Sequence, residues 1–221
     1  MEVITLIILI AFTPSLALLW YFYHKDKYEP EPKRYVIVTF LYGALFSTAL
    51  AMFLENAVGY FIQRTAITMA LTAAIVEEPA KALAIRIPYK AKQMDGIMDG
   101  VVYGVAAGLG FAATENLIYG LGFGAGTTLV RALLPPLAHA SWSAVIGVGY
   151  GLKAEGKGNL FIFFFTAILL HFFWDYSVFM SLTNPFYLSM VFLILFLNLV
   201  LIKYFIKVGL KEDKLKFGKS Y

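Results

Sequence analysis

Ionisable and amide side chains interrupt four apolar stretches of this sequence. Glu77, Glu78 and Lys81 lie in AAIVEEPAKALAI, and Glu115 and Asn116 lie in GFAATENLIYG. His139 lies in PPLAHASWSAVIG, and His171 and Asp175 lie in LLHFFWDYS. Two imidazoles and one carboxylate form a catalytic zinc site with a fourth position open for water. Zinc brings the pKa of that water to about 7, and a nearby carboxylate can take its proton. Glu77, Glu78, Glu115, His139 and His171 supply enough groups for this, with two carboxylates to spare. No HExxH occurs, so the groups must come from separate segments.

Each residue also has a plainer role. Glu77 and Lys81 stand i,i+4 and can neutralise one another on a helix face. Glu78 points about 100° away from Glu77, so that pairing does not explain both glutamates. His171 and Asp175 are also i,i+4, which suits a carboxylate that orients an imidazole. Asp95 and Asp99 suit the inner interface, solvated or capping a helix. Arg131 is expected near the outer interface, snorkelling, and His24 in a charged loop.

The segments that carry these residues are membrane spans. The 221-residue chain is 60% hydrophobic and only 14% charged, against about 25% charged in a soluble domain. A soluble enzyme and a disordered chain are thereby excluded, and the absence of cysteine removes disulfides and thiolate metal sites. Seven stretches are long enough to cross a bilayer: Val3–Tyr23, Tyr35–Phe61, Thr65–Ile87, Gly96–Phe123, Thr128–Leu152, Leu160–Leu182 and Phe186–Ile206. Runs such as FIFFFTAILL do not alternate as barrel strands do, so the expected fold is an all-α polytopic bundle.

Lys and Arg concentrate in alternate loops: Lys25, Lys27, Lys33 and Arg34; Lys90 and Lys92; Lys153 and Lys157; and a tail from Lys207 to Lys219. The positive-inside rule then puts the N-terminus outside and the C-terminus in the cytoplasm. The net charge of +4 reports orientation in the cell membrane and gives no reason to expect nucleic acid. One membrane domain over 1–221 is expected, with its polar site built by spans three to six (about 65–182) and a basic tail at 207–221 that touches anionic lipid. Nothing in the sequence specifies an oligomeric state.

Within those spans Glu77, His139 and His171 each lie about eleven or twelve residues from a span end, near mid-membrane. Glu115 is expected nearer the outer face, unless Gly104, Gly108 and Gly110 permit a kink or close packing that brings it level. A charge at that depth costs at least ~2.5–3.5 kcal/mol, so the cluster reads as functional.

The ordered set Glu77-Glu78-Pro-Ala-Lys81, Phe111 through Glu115, Asn116 and Tyr119, His139 with Gly147, and His171 with Trp174 and Asp175 resembles the PrsW family of intramembrane proteases. The Asp95-Gly and Asp99-Gly segment and the EPEP loop are also similar to that family. The resemblance implies cleavage of a membrane-anchored anti-sigma factor at site one. It also implies distant similarity to the CAAX prenyl protease and ABI superfamily, in which the position of Glu115 is histidine. The implied mechanism has Glu77 or Glu78 activate a water, while Glu115, His139 and His171 hold zinc or orient that water. Lys81, Asn116 and the metal are the candidate oxyanion donors, and Asp175 supports His171. The substrate is expected to be a membrane protein or peptide entering between helices from the lipid bilayer. Three other readings compete: a CAAX-type peptidase using a glutamate-activated water, an ion- or proton-coupled transporter, and a scaffold whose polar cluster serves packing.

Overall fold

The computed structural model describes residues 2–218; Met1 and residues 219–221, including Lys219 of the expected tail, lie outside the described residues. The described chain is all-helical: α1 Glu2–Tyr23, α2 Lys33–Tyr42, a π-helical turn Gly43–Ser47, α3 Thr48–Phe61, α4 Ala66–Lys90, α5 Ile97–Phe123, α6 Ala125–Arg131, α7 Leu134–Ala154, α8 Leu160–Ser181 and α9 Phe186–Phe217. Among the described residues, five helical stretches are long and apolar enough to cross a membrane. They become six if α6 and α7, bent by 47°, count as one. The chain is a multi-pass membrane protein. The expected third span, now α4, is missing from that set because Glu77, Glu78, Lys81, Arg86 and Lys90 make it too polar.

α5 is the axis of the bundle and is buried on almost every side. Its small residues make that possible. A Cβ on Gly100, Gly104 or Gly108 would run into the backbone of Gly147, Ser143 or His139 on α7, so the two helices meet backbone to backbone. Gly110 does the same against Phe40 on the opposite side. The glycines thus serve close packing, and α5 runs unbroken from Ile97 to Phe123.

The expected fifth span, Thr128–Leu152, is instead interrupted. Pro135 and Pro136 have no N–H to donate, which suits the first turn of a new helix, and α7 starts at Leu134. His139 therefore lies five residues into α7 rather than deep within a straight span. The last helix differs in the other direction. α9 continues past Ile206 to Phe217, and Lys216 Nζ donates to the Asp95 carbonyl (2.7 Å) and the Glu155 carboxylate (2.8 Å). This part of the tail docks on the end of the bundle where α5 begins.

That end gathers carboxylates. The Asp99 side chain accepts from the Asp95 (2.5 Å) and Gly96 (3.1 Å) amides and so caps α5. Asp26 and Glu31, in the loop between α1 and α2, are buried beside it, and Tyr103 donates to Glu31. Burial, reinforced by the Asp99 charge, pushes the Asp26 carboxyl up to about 7 and Glu31 up to about 10. Unfolded aspartate titrates near 3.9. A raised carboxyl favours the folded state below that value, and the benefit is lost as pH rises through the folded pKa. Asp26→Asn is therefore expected to raise the melting temperature at pH 8 and remove the part of the decline lying between pH 4 and 7. The decline due to Glu31 should persist above pH 7, which a melting series in detergent from pH 4 to 9 would check.

Candidate active site

α4 presents Glu77, Glu78 and Lys81 to α7 and α8. Lys81 is fully buried, with its Nζ 2.6 Å from Glu78 Oε1, 3.4 Å from Glu77 Oε2 and 3.0 Å from His139 Nδ1. The expectation that Lys81 serves one glutamate alone is not met. Residues i+3 and i+4 lie on one helix face, so Lys81 reaches both carboxylates and sits closer to Glu78. The Phe111 ring covers the ammonium at 4.6 Å.

His171 of α8 is held on three sides. Its Nδ1 lies 2.7 Å from Glu78 Oε1, and its Nε2 lies 3.3 Å from Asp175 Oδ2 and 3.8 Å from Glu77 Oε2. The Trp142 ring stacks on the imidazole with centroids 4.1 Å apart. His139 stands opposite, with Nδ1 3.9 Å from the same Glu77 oxygen and Nε2 3.0 Å from Glu115 Oε2. The two imidazoles are 5.5 Å apart, centre to centre. Glu77 Oε2 is thus the point that both histidines face.

The His139 backbone packs beside Gly108, about two turns from Glu115 along α5. Side chains lean toward the N-terminus of their own helix, so on these antiparallel helices Glu115 and His139 lean toward each other and meet. The other Glu115 oxygen is 3.0 Å from the Arg131 guanidinium, which also lies over the Tyr119 ring. Arg131, expected to snorkel near the outer interface, is thus ion-paired with Glu115. Asn116, expected as an oxyanion donor, is fully buried. Its amide donates to the Arg131 carbonyl at 3.1 Å and its oxygen accepts from Arg131 Nε at 3.2 Å.

A cavity of about 770 Å³ opens onto these groups. Glu77, Glu115, His139, His171 and Asp175 line it; Glu78, Lys81 and Asn116 are absent from its lining. The sequence reading missed Glu55 of α3, which also lines it, and Trp142, which stacks on His171. For Glu55 the signal was present, an acid within an apolar span, although it stood apart from the four polar groups. No sequence pattern announces Trp142.

The expected zinc ligands do not converge. Glu115 meets His139 at Nε2, whereas Nδ1 is the nitrogen turned toward Glu77 and the ammonium of Lys81. Zinc needs its donors about 2.0–2.2 Å from one point. Among the described residues no group of three or more His, Asp or Glu side chains is placed to do that. With a lysine ammonium inside the donor set, these residues do not fit the ion as arranged. What they can do is hold a water between Glu77 and two fixed imidazoles.

Comparison with known proteins bears on the same stretch of chain. The model of the PrsW family intramembrane metalloprotease matches residues 31–202. The chain is 36% identical to Protease PrsW of Geobacillus kaustophilus over 163 residues, covering 72% of each chain. It is 33% identical to that of Halalkalibacterium halodurans over 172 residues, covering 75% of this chain and 80% of the relative. With Protease PrsW of Bacillus subtilis the identity is 34% over 145 residues, 62% of this chain and 64% of the other. No solved structure matches the chain. The matched residues carry α2 through most of α9, and with them every group around Glu77; the chain belongs to the PrsW family of intramembrane proteases.

Proposed function

We propose that this chain is an intramembrane endopeptidase that hydrolyses a peptide bond of a membrane-anchored protein, as a site-one protease does to an anti-sigma factor. The observation that carries this reading is the cavity in a helix bundle where one carboxylate, Glu77, faces two imidazoles. In the proposed reaction Glu77 takes a proton from a water as its oxygen attacks the scissile carbonyl, then passes the proton to the leaving amine. Asp175 and Glu78 hold His171, while Lys81 and Glu115 hold His139, so neither ring reorganises as charge develops. The Asn116 amide is committed to Arg131, Lys81 lies behind the wall, and His139 is tied at both nitrogens, to Glu115 and to Lys81. The donor left for the oxyanion is His171 Nε2–H, held only at 3.3 Å by Asp175.

The same proposal makes α4 a seventh span. At 25 residues it is about 37 Å long, and its charges are compensated inside the bundle, as intramembrane charges are. With the Lys and Arg distribution this gives an outer N-terminus, a cytoplasmic C-terminus and one domain with a basic tail at 207–221.

The test is reconstitution of the full chain in proteoliposomes with a single-span reporter protein, cleavage being read by mass spectrometry. Cleavage inside or beside the span, lost in Glu77→Gln, is the expected result; intact reporter with solute flux across the vesicle would mean a transporter instead. The reaction as proposed uses no zinc. About one zinc per wild-type chain, lost in a folded His139→Ala/His171→Ala protein, would make the imidazoles ligands and replace this mechanism.

A further inference from the structure

Helices α3 and α8 both line the cavity, as does α9 through Leu188 and Val191, yet α3 touches neither α8 nor α9. Instead α3 packs only on the π-helical turn, α4 and α5. The cavity therefore has a lateral gap on this side. Its far wall is apolar, with Val178 and Phe179 of α8 beside the α9 residues, and Thr48, Ala51 and Met52 stand on the near wall. Phe53, on the outer surface of α3, is 70% exposed, so the rim suits lipid or a membrane-embedded peptide.

Two carboxylates line the cavity beside this gap. Glu55 projects from α3 and Asp175 from α8, and Glu55 is close enough to Asp175, Glu115, His171 and Lys81 to feel their charges. Three cations among the described residues stand around the cavity, and none is paired with Glu55: Arg64 lines it with its guanidinium against Gly59, and the other two are engaged elsewhere. Lys81 is bound to Glu78 and Glu77, and Arg131 to Glu115. Among the described residues no Lys, Arg or His nitrogen forms an ion pair with Glu55. An acid at membrane depth without a cationic partner is costly to keep unless it meets one in function.

We propose that Glu55 and Asp175 form a subsite at this gap that holds a Lys or Arg side chain of the membrane segment entering the cavity. The inference rests on the protease reading for the identity of the incoming segment. A basic side chain is the complementary group: it can donate to both carboxylates at once while its aliphatic stem lies along the apolar wall. Glu55 is then a specificity residue, contacting substrate away from the reacting atoms. The subsite adds a charge requirement that a purely apolar span would not meet.

The experiment uses the full chain in nanodiscs and fluorescent single-span peptides in which one lysine, norleucine or glutamate is moved through the central positions. At one position lysine is expected to bind about tenfold tighter than norleucine, the scale of one charge-assisted hydrogen bond. Glu55→Gln should erase that difference, and Glu55→Lys should shift the preference to glutamate. Glu55→Asp, which keeps the charge, should retain the lysine preference, and a thermal transition confirms that each variant is folded. The proposal is overturned if wild-type protein prefers lysine at no position, or if the preference survives in folded Glu55→Gln. Mass spectrometry of the same bound peptides separates the two readings. Selective binding without hydrolysis would count against the protease and leave the subsite standing, whereas hydrolysis without selectivity would remove the subsite alone.

Discussion

Glu77→Gln is expected to lower kcat for a membrane-anchored reporter by about 10³-fold, within the range of a lost general base, and to leave the melting temperature nearly unchanged. Glu78→Gln is expected to behave differently although it is the adjacent residue. Glu77 lines the cavity and is 6% exposed, whereas Glu78 is completely buried behind it. Glu78 is the nearer partner of Lys81 at 2.6 Å and also holds His171 at 2.7 Å. Neutralising it leaves the buried ammonium with one carboxylate, the Glu77 oxygen at 3.4 Å, beside His139 Nδ1 at 3.0 Å. Breaking a buried ion pair from one side costs about 3–5 kcal/mol, so Glu78→Gln should unfold at a markedly lower temperature. Glu77→Gln avoids that cost because Lys81 keeps its closer partner. Activity and thermal unfolding measured on both variants decide the assignment. A stable, inactive Glu78→Gln beside an active Glu77→Gln would exchange the two roles.

That distinction shows where the sequence could be read and where it could not. The residue types and their spans were legible because an ionisable side chain in an apolar run has few reasons to be there. All eight residues singled out lie in or against one cluster. The roles of Glu77 and Glu78 were not legible, since neighbours on a helix differ by a rotation whose direction is set by what α7 and α8 place opposite. For Glu115 two levels were open, nearer the outer face or brought level by a kink or close packing at the glycines, because its contact with His139 depends on how closely α5 and α7 approach. Arg131 looked like an interfacial residue because it stands near the outer end of the expected fifth span, and nothing local ties it to Glu115. Lys81 was assigned one partner by i,i+4 counting, while its i,i+3 partner is the closer. Its contact with His139 is 58 residues away in sequence. The zinc expectation followed from donor types, which composition supplies, whereas convergence is a property of the packed helices, and among the described residues they bring no three such donors to one point as arranged.

The packing that sets this geometry can be tested by one substitution made twice in α5. Gly100→Ala is expected to destabilise the protein by more than ~3 kcal/mol, above the usual range for overpacking. The obstruction there is backbone on a facing helix, and a flexible side chain could have moved aside. A Cβ at Gly100 would overlap the Gly147 carbonyl, and a Cβ at Gly147 would overlap Gly100 in return, so neither helix offers a free side to retreat to. Gly122→Ala, in the last turn of the same helix, meets nothing within 4 Å. It should be neutral or stabilise by up to ~1 kcal/mol, through helix propensity alone. Opposite signs in a pair of melting curves would establish that the α5–α7 seam, and not a general intolerance of α5 to larger residues, sets the separation of the helices. The consequence for function follows from position. Gly108 of the same seam faces the backbone of His139, so whatever widens the seam carries that imidazole away from Glu115 and Glu77. Activity in Gly100→Ala should therefore fall at temperatures where the protein is still folded. If activity instead tracks the folded fraction alone, the seam holds the bundle together without setting the distance between the two histidines.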